Sequence, residues 1–155
     1  MYEELIQVQG TAARIACARI TAPHLTALQD RIQYAAGLPA GTAWDRQAAA
    51  YSQVFVLLGA AAGDSVVAAV LSTGAEHLRD LAIGAGSEAA GIMASAHRGL
   101  LAHVRARDAD AAAAEMEGLF RALHVMRRDN RGGSSSRRRA WSPGFPLALP
   151  GLPER

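Results

Sequence analysis

The chain has 155 residues, of which half are apolar and only 5% aromatic, and its formal net charge is +2. This length is sufficient for one domain with a hydrophobic core. Alanine, the most frequent apolar residue, favours helices and lets them pack closely. No stretch alternates polar and apolar residues with period two, so the composition predicts an all-α fold.

The charge is distributed unevenly along the chain. Residues 131–155 contain five Arg and one Glu, a net charge of +4, whereas residues 1–130 contain 11 Arg and 13 acidic residues, a net charge of −2. Proteins that bind the phosphate backbone of nucleic acids present a basic surface. The acidic part of the chain therefore argues against direct binding to duplex DNA.

Cysteine content and the N-terminal sequence predict a cytoplasmic protein. The single Cys17 lies in an apolar run and is predicted to be a buried, inert thiol rather than a reactive one. The N-terminus begins Met-Tyr-Glu-Glu, unlike the basic start of a signal peptide. The sequence also lacks a run of about 18 uncharged apolar residues, so we expect no contact with a membrane.

Six helices with short connections are predicted, over residues 2–20, 22–36, 44–62, 65–83, 88–107 and 109–128. Residues whose side chains accept hydrogen bonds from free backbone N–H groups precede four of the helices: Thr21, Asp64, Ser87 and Asp108. Gly63 closes the third helix. Helices joined by short loops pack as antiparallel neighbours, so we predict an antiparallel bundle of about six helices.

The composition changes after Asn130. Residues 131–155, RGGSSSRRRAWSPGFPLALPGLPER, are rich in Gly, Ser, Pro and Arg and show no helical period. This composition predicts a disordered tail, so residues 1–130 form one domain and residues 131–155 lie outside it. The stretch RRRAW either binds nucleic acid or an acidic surface through charge and stacking, or is simply solvated.

Three segments occur in an order that resembles a known family. They are TAARIACARITAPHLTALQDRI at 11–32, LLGAAAGDSVV at 57–67 and AHRGLLAHVRARDADAAAAEMEGLF at 96–120. Over about residues 2–125 the chain resembles the FCD domain, the C-terminal effector-binding domain of FadR-type GntR transcription regulators. The resemblance implies a helical domain that binds a small-molecule effector and forms a homodimer.

The same resemblance places a metal site in the bundle. In the metal-binding branches of the family, an Asp and a His four residues apart on one helix join two further His from the last two helices. The corresponding positions here are Tyr51, Phe55, His97 and Leu119, and Gln9 replaces the Glu that is usual in the first helix. Because one of the four ligands remains, we expect neither a metal nor another cofactor.

Two of the eight aromatic residues, Tyr51 and Phe55, thus occupy positions of metal ligands. They either form plain core or line a pocket for an apolar or aromatic effector, such as an organic acid. His97 is either a core histidine or an effector contact, and it is a candidate hydrogen-bond partner for the Tyr51 hydroxyl. We take Tyr51, Phe55, His97 and Leu119 as the candidate ligand-binding residues. The remaining histidines have no convergent spacing: His24, His77, His103 and His124.

No catalytic residues are predicted. The sequence contains no Gly-rich phosphate loop, His-Glu-x-x-His or Cys-x-x-Cys motif. Ser95 and His97 are two residues apart on a predicted helix, so they point in different directions and do not form a nucleophile and base. We therefore expect that the chain is not an enzyme.

The sequence thus predicts the ligand-sensing and dimerisation domain of a GntR-type bacterial regulator. Family regulators carry a winged-helix domain before this one, whereas here Met1 lies close to the first predicted helix. We therefore expect contact with DNA only through a winged-helix domain that is absent from this chain, which is either a fragment or a free-standing sensor domain. The alternative is an effector-free interaction module that pairs with itself or with related regulators.

Overall fold

A computed structural model of the chain describes residues 2–140, and their side chains up to residue 133. Its helices are α1 (Tyr2–Arg19), α2 (Ala22–Ala36), α3 (Trp44–Ala61), α4 (Ser65–Ala85), α5 (Ala90–Arg105) and α6 (Ala109–Ala140), with a 3₁₀ turn (Ser87–Ala89) before α5. The described residues include no β-strand. The predicted all-α bundle is therefore confirmed.

Side-chain contacts fix how the helices are arranged. At one end of the pair formed by α1 and α6, Arg121 binds Glu3 with an N–O distance of 3.0 Å, and at the other Arg14 binds Asp110 at 2.9 Å. Because the start of α1 contacts a later residue of α6 and the end of α1 contacts an earlier one, the two helices are antiparallel. α6 also packs against α4 and α5, and α3 packs extensively against α4. Contacts of α1 with α6 and of α3 with α4 therefore join the first three helices to the rest of the bundle.

The predicted N-terminal caps at Asp64, before α4, and at Asp108, before α6, are confirmed. The Oδ1 atom of Asp64 accepts two hydrogen bonds, one from the backbone N of Val66 at 2.8 Å and one from the backbone N of Val67 at 3.1 Å. These bonds stabilise the carboxylate and lower the pKa of Asp64. Asp108 accepts a corresponding bond from the N of Ala111 at 3.1 Å.

Two other predicted caps are wrong. Thr21 occupies the position before α2 but makes no capping bond; its hydroxyl lies 2.7 Å from Nδ1 of His24 instead. Ser87 opens the 3₁₀ turn rather than α5, which begins at Ala90 without a side-chain cap. Gly86, with φ of 85°, turns the chain sharply between α4 and this turn.

The last helix is longer than predicted. α6 continues to Ala140, so it includes the first ten residues of the segment that the sequence predicts to be disordered. Arginine is a good helix former, and between the start of α6 and Pro143 no proline interrupts the sequence. Residues 141–155, which include Trp141 of the RRRAW stretch, lie outside the described residues, as do the side chains of the whole stretch.

The interior is built mainly from small and aliphatic side chains. Phe55 and Phe120 are the largest side chains that are fully buried, and the predicted burial of Cys17 is confirmed. Burial raises the pKa of the Cys17 thiol. Across the described part of the chain, no helix is long and apolar enough to cross a membrane.

Candidate functional site

Aromatic and imidazole rings form one continuous row through the bundle, which we call the ring row. Centroids of successive rings are 4.0–6.0 Å apart, within the range of favourable ring contacts. The rings come from five of the six helices and follow the order Tyr51, His97, Phe55, Phe120, His77, Tyr2 and His124.

Three of the four residues predicted from the sequence meet at the inner end of the ring row. Tyr51 and Phe55 share one face of α3 because they are four residues apart. The ring of His97, from α5, lies 4.8 Å from the Tyr51 ring and 6.0 Å from the Phe55 ring. The exposed fractions of Tyr51, Phe55 and His97 are 4%, 0% and 1%.

The fourth predicted residue, Leu119, is buried but faces a different part of the structure. It lines an open groove between α5 and α6, together with Ser95 and Ala96. The next residue, Phe120, supplies the contact from α6 instead, because its ring lies 5.8 Å from that of Phe55 in an edge-to-face arrangement. Phe120 follows the buried Met116 by four residues, and this spacing is the signal that identifies it in the sequence.

Hydrogen bonding fixes the protonation of His97. Nδ1 lies 2.7 Å from the backbone oxygen of Met93. A carbonyl oxygen can only accept, so we assign the proton to Nδ1, which leaves Nε2 as an acceptor. Burial lowers the pKa of His97 to about 4, although the nearby carbonyls of Met93 and Tyr51 act in the opposite direction. The imidazole is therefore neutral at physiological pH.

The Nε2 atom of His97 is buried and has no hydrogen-bond partner within the described residues. The Tyr51 carbonyl acts as an acceptor near His97 and raises its pKa, but no hydrogen bond of ordinary length and angle joins this carbonyl to Nε2. The bond considered from the sequence, between the Tyr51 hydroxyl and His97, is not formed either; their contact is between the rings. Burial raises the pKa of Tyr51. Nε2 is thus an unused acceptor inside the protein.

Gln9 carries a second unused acceptor in the interior. Its side chain is 1% exposed, and its Nε2 donates to the backbone oxygen of Val70 at 2.8 Å. Its Oε1 is buried and finds no donor among the described residues. Gly74 makes room for this amide, because a Cβ at that position would overlap the Gln9 side chain. The α1–α4 contact therefore depends on a glycine and a buried amide.

The outer end of the ring row corrects the prediction that the other histidines do not converge. Tyr2 stacks on His124 with a centroid distance of 4.0 Å and lies 6.0 Å from His77. The Tyr2 hydroxyl donates to the backbone oxygen of Phe120 at 2.9 Å, and burial is the main reason that its pKa is raised to about 12. These residues lie on three helices, so spacing along the chain gives no signal of their proximity.

His103 is partly exposed, in agreement with its position away from the ring row. Its Nε2 lies 3.5 Å from a carboxylate oxygen of Glu115, at the groove that Leu119 also lines. The pairing joins α5 to α6 at the surface. His103 therefore contributes to the hairpin of the last two helices and not to the buried site.

The residues at the four candidate positions do not fit a metal ion. A phenol ring, a phenyl ring and an isobutyl group stand beside one imidazole, and a divalent transition metal requires several N, O or S ligands. No group of three or more His, Cys, Asp or Glu side chains in the described residues has the geometry to hold a metal. That the protein works without metal remains a prediction.

Comparison with known proteins places these features in a family. The FCD domain matches residues 1–122, which include the four candidate ligand-binding residues and every member of the ring row except His124. The chain therefore belongs to the FCD domain family, whose members are regulatory, effector-binding domains of GntR-type transcription regulators. The comparison with curated proteins found no match.

Proposed function

We propose that the chain is a ligand-sensing and dimerising domain of a cytoplasmic GntR-type regulator, and that its effector binds among Tyr51, Phe55 and His97. The observation that supports this most strongly is the buried, unpaired Nε2 of His97. An unsatisfied buried acceptor destabilises a protein by about 1–3 kcal/mol. A ligand that supplies the missing donor recovers this free energy, so the site favours occupation.

The packing of the rings indicates how binding acts on the rest of the domain. Phe55 is fully buried between rings from α5 and α6, so an effector must displace side chains to enter. The domain therefore has a closed state and an open, ligand-competent state, and the effector shifts the population toward the second. Since the ring row crosses five helices, this repacking reaches α1 and α6 as well.

Thermal unfolding in the presence of small molecules tests the sensing function. A panel of organic acids, acyl thioesters and aromatic metabolites should contain compounds that raise the unfolding temperature. A ligand present at 100 times its dissociation constant raises the free energy of unfolding by about 2.7 kcal/mol. His97→Ala should abolish that shift, whereas the control His24→Ala, outside the ring row, should retain it. A panel without any shift would favour the alternative, an effector-free interaction module.

A second surface supports dimerisation. An apolar groove lies between α1 and α4, and two valines in its walls, Val8 and Val66, are 50% and 70% exposed. Glu4 lies at one end of the groove without an ion-pair partner in the described structure. Arg19 is at the other end of α1, where it is 4.0 Å from Asp64 and donates to the Ala62 carbonyl but remains partly exposed. A second copy with an antiparallel α1 would place opposite charges together and cover the valines. We propose this copy as the occupant.

Analytical ultracentrifugation tests the proposed interface. The wild-type chain should sediment as a dimer, and Val8→Asp with Val66→Asp should convert it to a monomer with unchanged helicity, because two charges would be buried at the interface. Val125→Asp is a matched control, since Val125 is 55% exposed but lies outside the groove. A monomeric wild type, or a dimer that survives the double substitution, would exclude this interface.

A further inference from the structure

The geometry at His97 points to the chemical class of the effector: we infer that it is recognised as a neutral hydrogen-bond donor on an aromatic or apolar body, and not as a carboxylate anion. This inference rests on the proposed function, because it concerns the group of the effector that reaches His97. Phenols, aromatic alcohols and indole-like N–H compounds belong to this class.

The first step is the direction of the missing hydrogen bond. Nδ1 of His97 is occupied as a donor by the Met93 carbonyl, so Nε2 offers only a lone pair. Within the described chain this nitrogen has no partner. A carboxylate also offers only lone pairs and cannot pair with it. A hydroxyl or N–H group pairs with Nε2 directly.

The second step is the charge of the surroundings. The side chains around His97 in the ring row are the neutral rings of Tyr51 and Phe55. The neighbouring Arg98 is exposed on the surface of α5, and its charge reaches the Tyr51 hydroxyl, where it lowers the pKa against the larger effect of burial. A carboxylate at Nε2 would be desolvated, and no cation of the described residues contacts that nitrogen, which is unfavourable for an anion. An acid would therefore bind only in its protonated form, which then acts as a donor.

The third step is the nature of the walls. Tyr51, Phe55 and Phe120 present ring faces and edges, and Met93 adds a flexible apolar side chain that is fully buried. Such walls favour a flat apolar body.

Gln9 also carries a buried acceptor without a donor elsewhere in the core, because its Oε1 has no hydrogen-bond partner. The described residues also leave Nε2 of His77 and Nε of Arg127 without hydrogen-bond partners, on side chains that are less buried. His97 Nε2 and Gln9 Oε1 belong to residues that are 1% exposed, and both require donors.

Four probes with one aromatic ring separate the alternatives: phenol, anisole, toluene and benzoate. Titrated against the full chain at pH 7 and followed by calorimetry, phenol should bind about tenfold or more tightly than anisole, which lacks the donor. In His97→Phe this difference between phenol and anisole should disappear, while toluene still binds. Tighter binding of benzoate than of phenol, or an unchanged difference in the variant, would overturn the inference.

A measurement on the wild-type chain covers the case in which His97→Phe fails to fold. In ¹⁵N NMR spectra, the Nε2 resonance of His97 should move upfield when phenol is added, as for an acceptor nitrogen that gains a donor, and should not move with anisole. If none of the four probes binds, or Nε2 does not respond to bound phenol, the inference is wrong. A positive result in the wider thermal panel would then leave the sensing function standing.

Discussion

Phe55→Ala should lower the free energy of unfolding by about 3–5 kcal/mol, as for other truncations of large core side chains. Phe55 is completely buried, and its ring packs against those of His97 and Phe120. The loss of the ring removes contacts with two other helices and leaves a cavity that the backbone cannot fill. Denaturant unfolding of both proteins measures the difference, provided that the slope against denaturant is unchanged.

Tyr34→Ala is the matched control for this substitution. Tyr34 is an aromatic residue that is 57% exposed, with the Arg31 guanidinium 5.3 Å from its ring centroid. Its loss should change stability by less than about 1 kcal/mol. A similarly small effect of Phe55→Ala would show that the ring row is not part of the core. An intermediate effect accompanied by uptake of benzene would indicate an open cavity at this position.

The protein should lose stability as the pH falls, because His97 is held neutral in the folded state. The pKa of its imidazole is about 4 in the folded protein, against an ordinary value of 6.5. Between pH 6.5 and 4 the unfolded chain takes up a proton at His97 that the folded chain does not. The free energy of unfolding therefore has its full value, as far as His97 is concerned, above pH 6.5 and decreases progressively as the pH falls toward 4. The difference corresponds to about 3 kcal/mol.

Comparison with His97→Gln separates this effect from the titration of carboxylates. Denaturant unfolding at several pH values should show a steeper decline for the wild type than for the variant between pH 6.5 and 4. Burial also lowers the pKa of His77, so His77→Gln should reduce the decline as well. Parallel curves for the wild type and His97→Gln would show that His97 is not held neutral by burial.

The sequence predicted those features of the fold that depend on local chemistry. Asp64 and Asp108 accept backbone hydrogen bonds where the predicted helices begin, because a short carboxylate reaches the free N–H groups of the first turn. Ser87 has the same capacity, but Gly86 and the 3₁₀ turn shift the start of α5 to Ala90. The sequence predicts an earlier end for α6 than the structure shows, because Gly and Ser lower helix propensity without preventing a helix.

The candidate site was only partly predictable. Their spacing places Tyr51 and Phe55 on one helix face, and the family resemblance marks them, together with His97, as candidate site residues. The contribution of Phe120, and the approach of His77 and His124 to Tyr2, depend on how different helices pack. No spacing within one helix carries that information. The protonation of His97 likewise follows from burial and from one backbone carbonyl, which are properties of the folded chain.

The resemblance implies that Tyr51 and Phe55 stand where metal-binding relatives have ligands, and metal analysis of the purified chain tests this expectation most directly. After passage over a chelating resin, the protein should contain far less than one equivalent of zinc, nickel or manganese. Its unfolding temperature should also not rise when these ions are added back, because one imidazole cannot hold a divalent ion tightly. Stoichiometric metal in the wild-type protein, lost in His97→Ala, would contradict the proposed site.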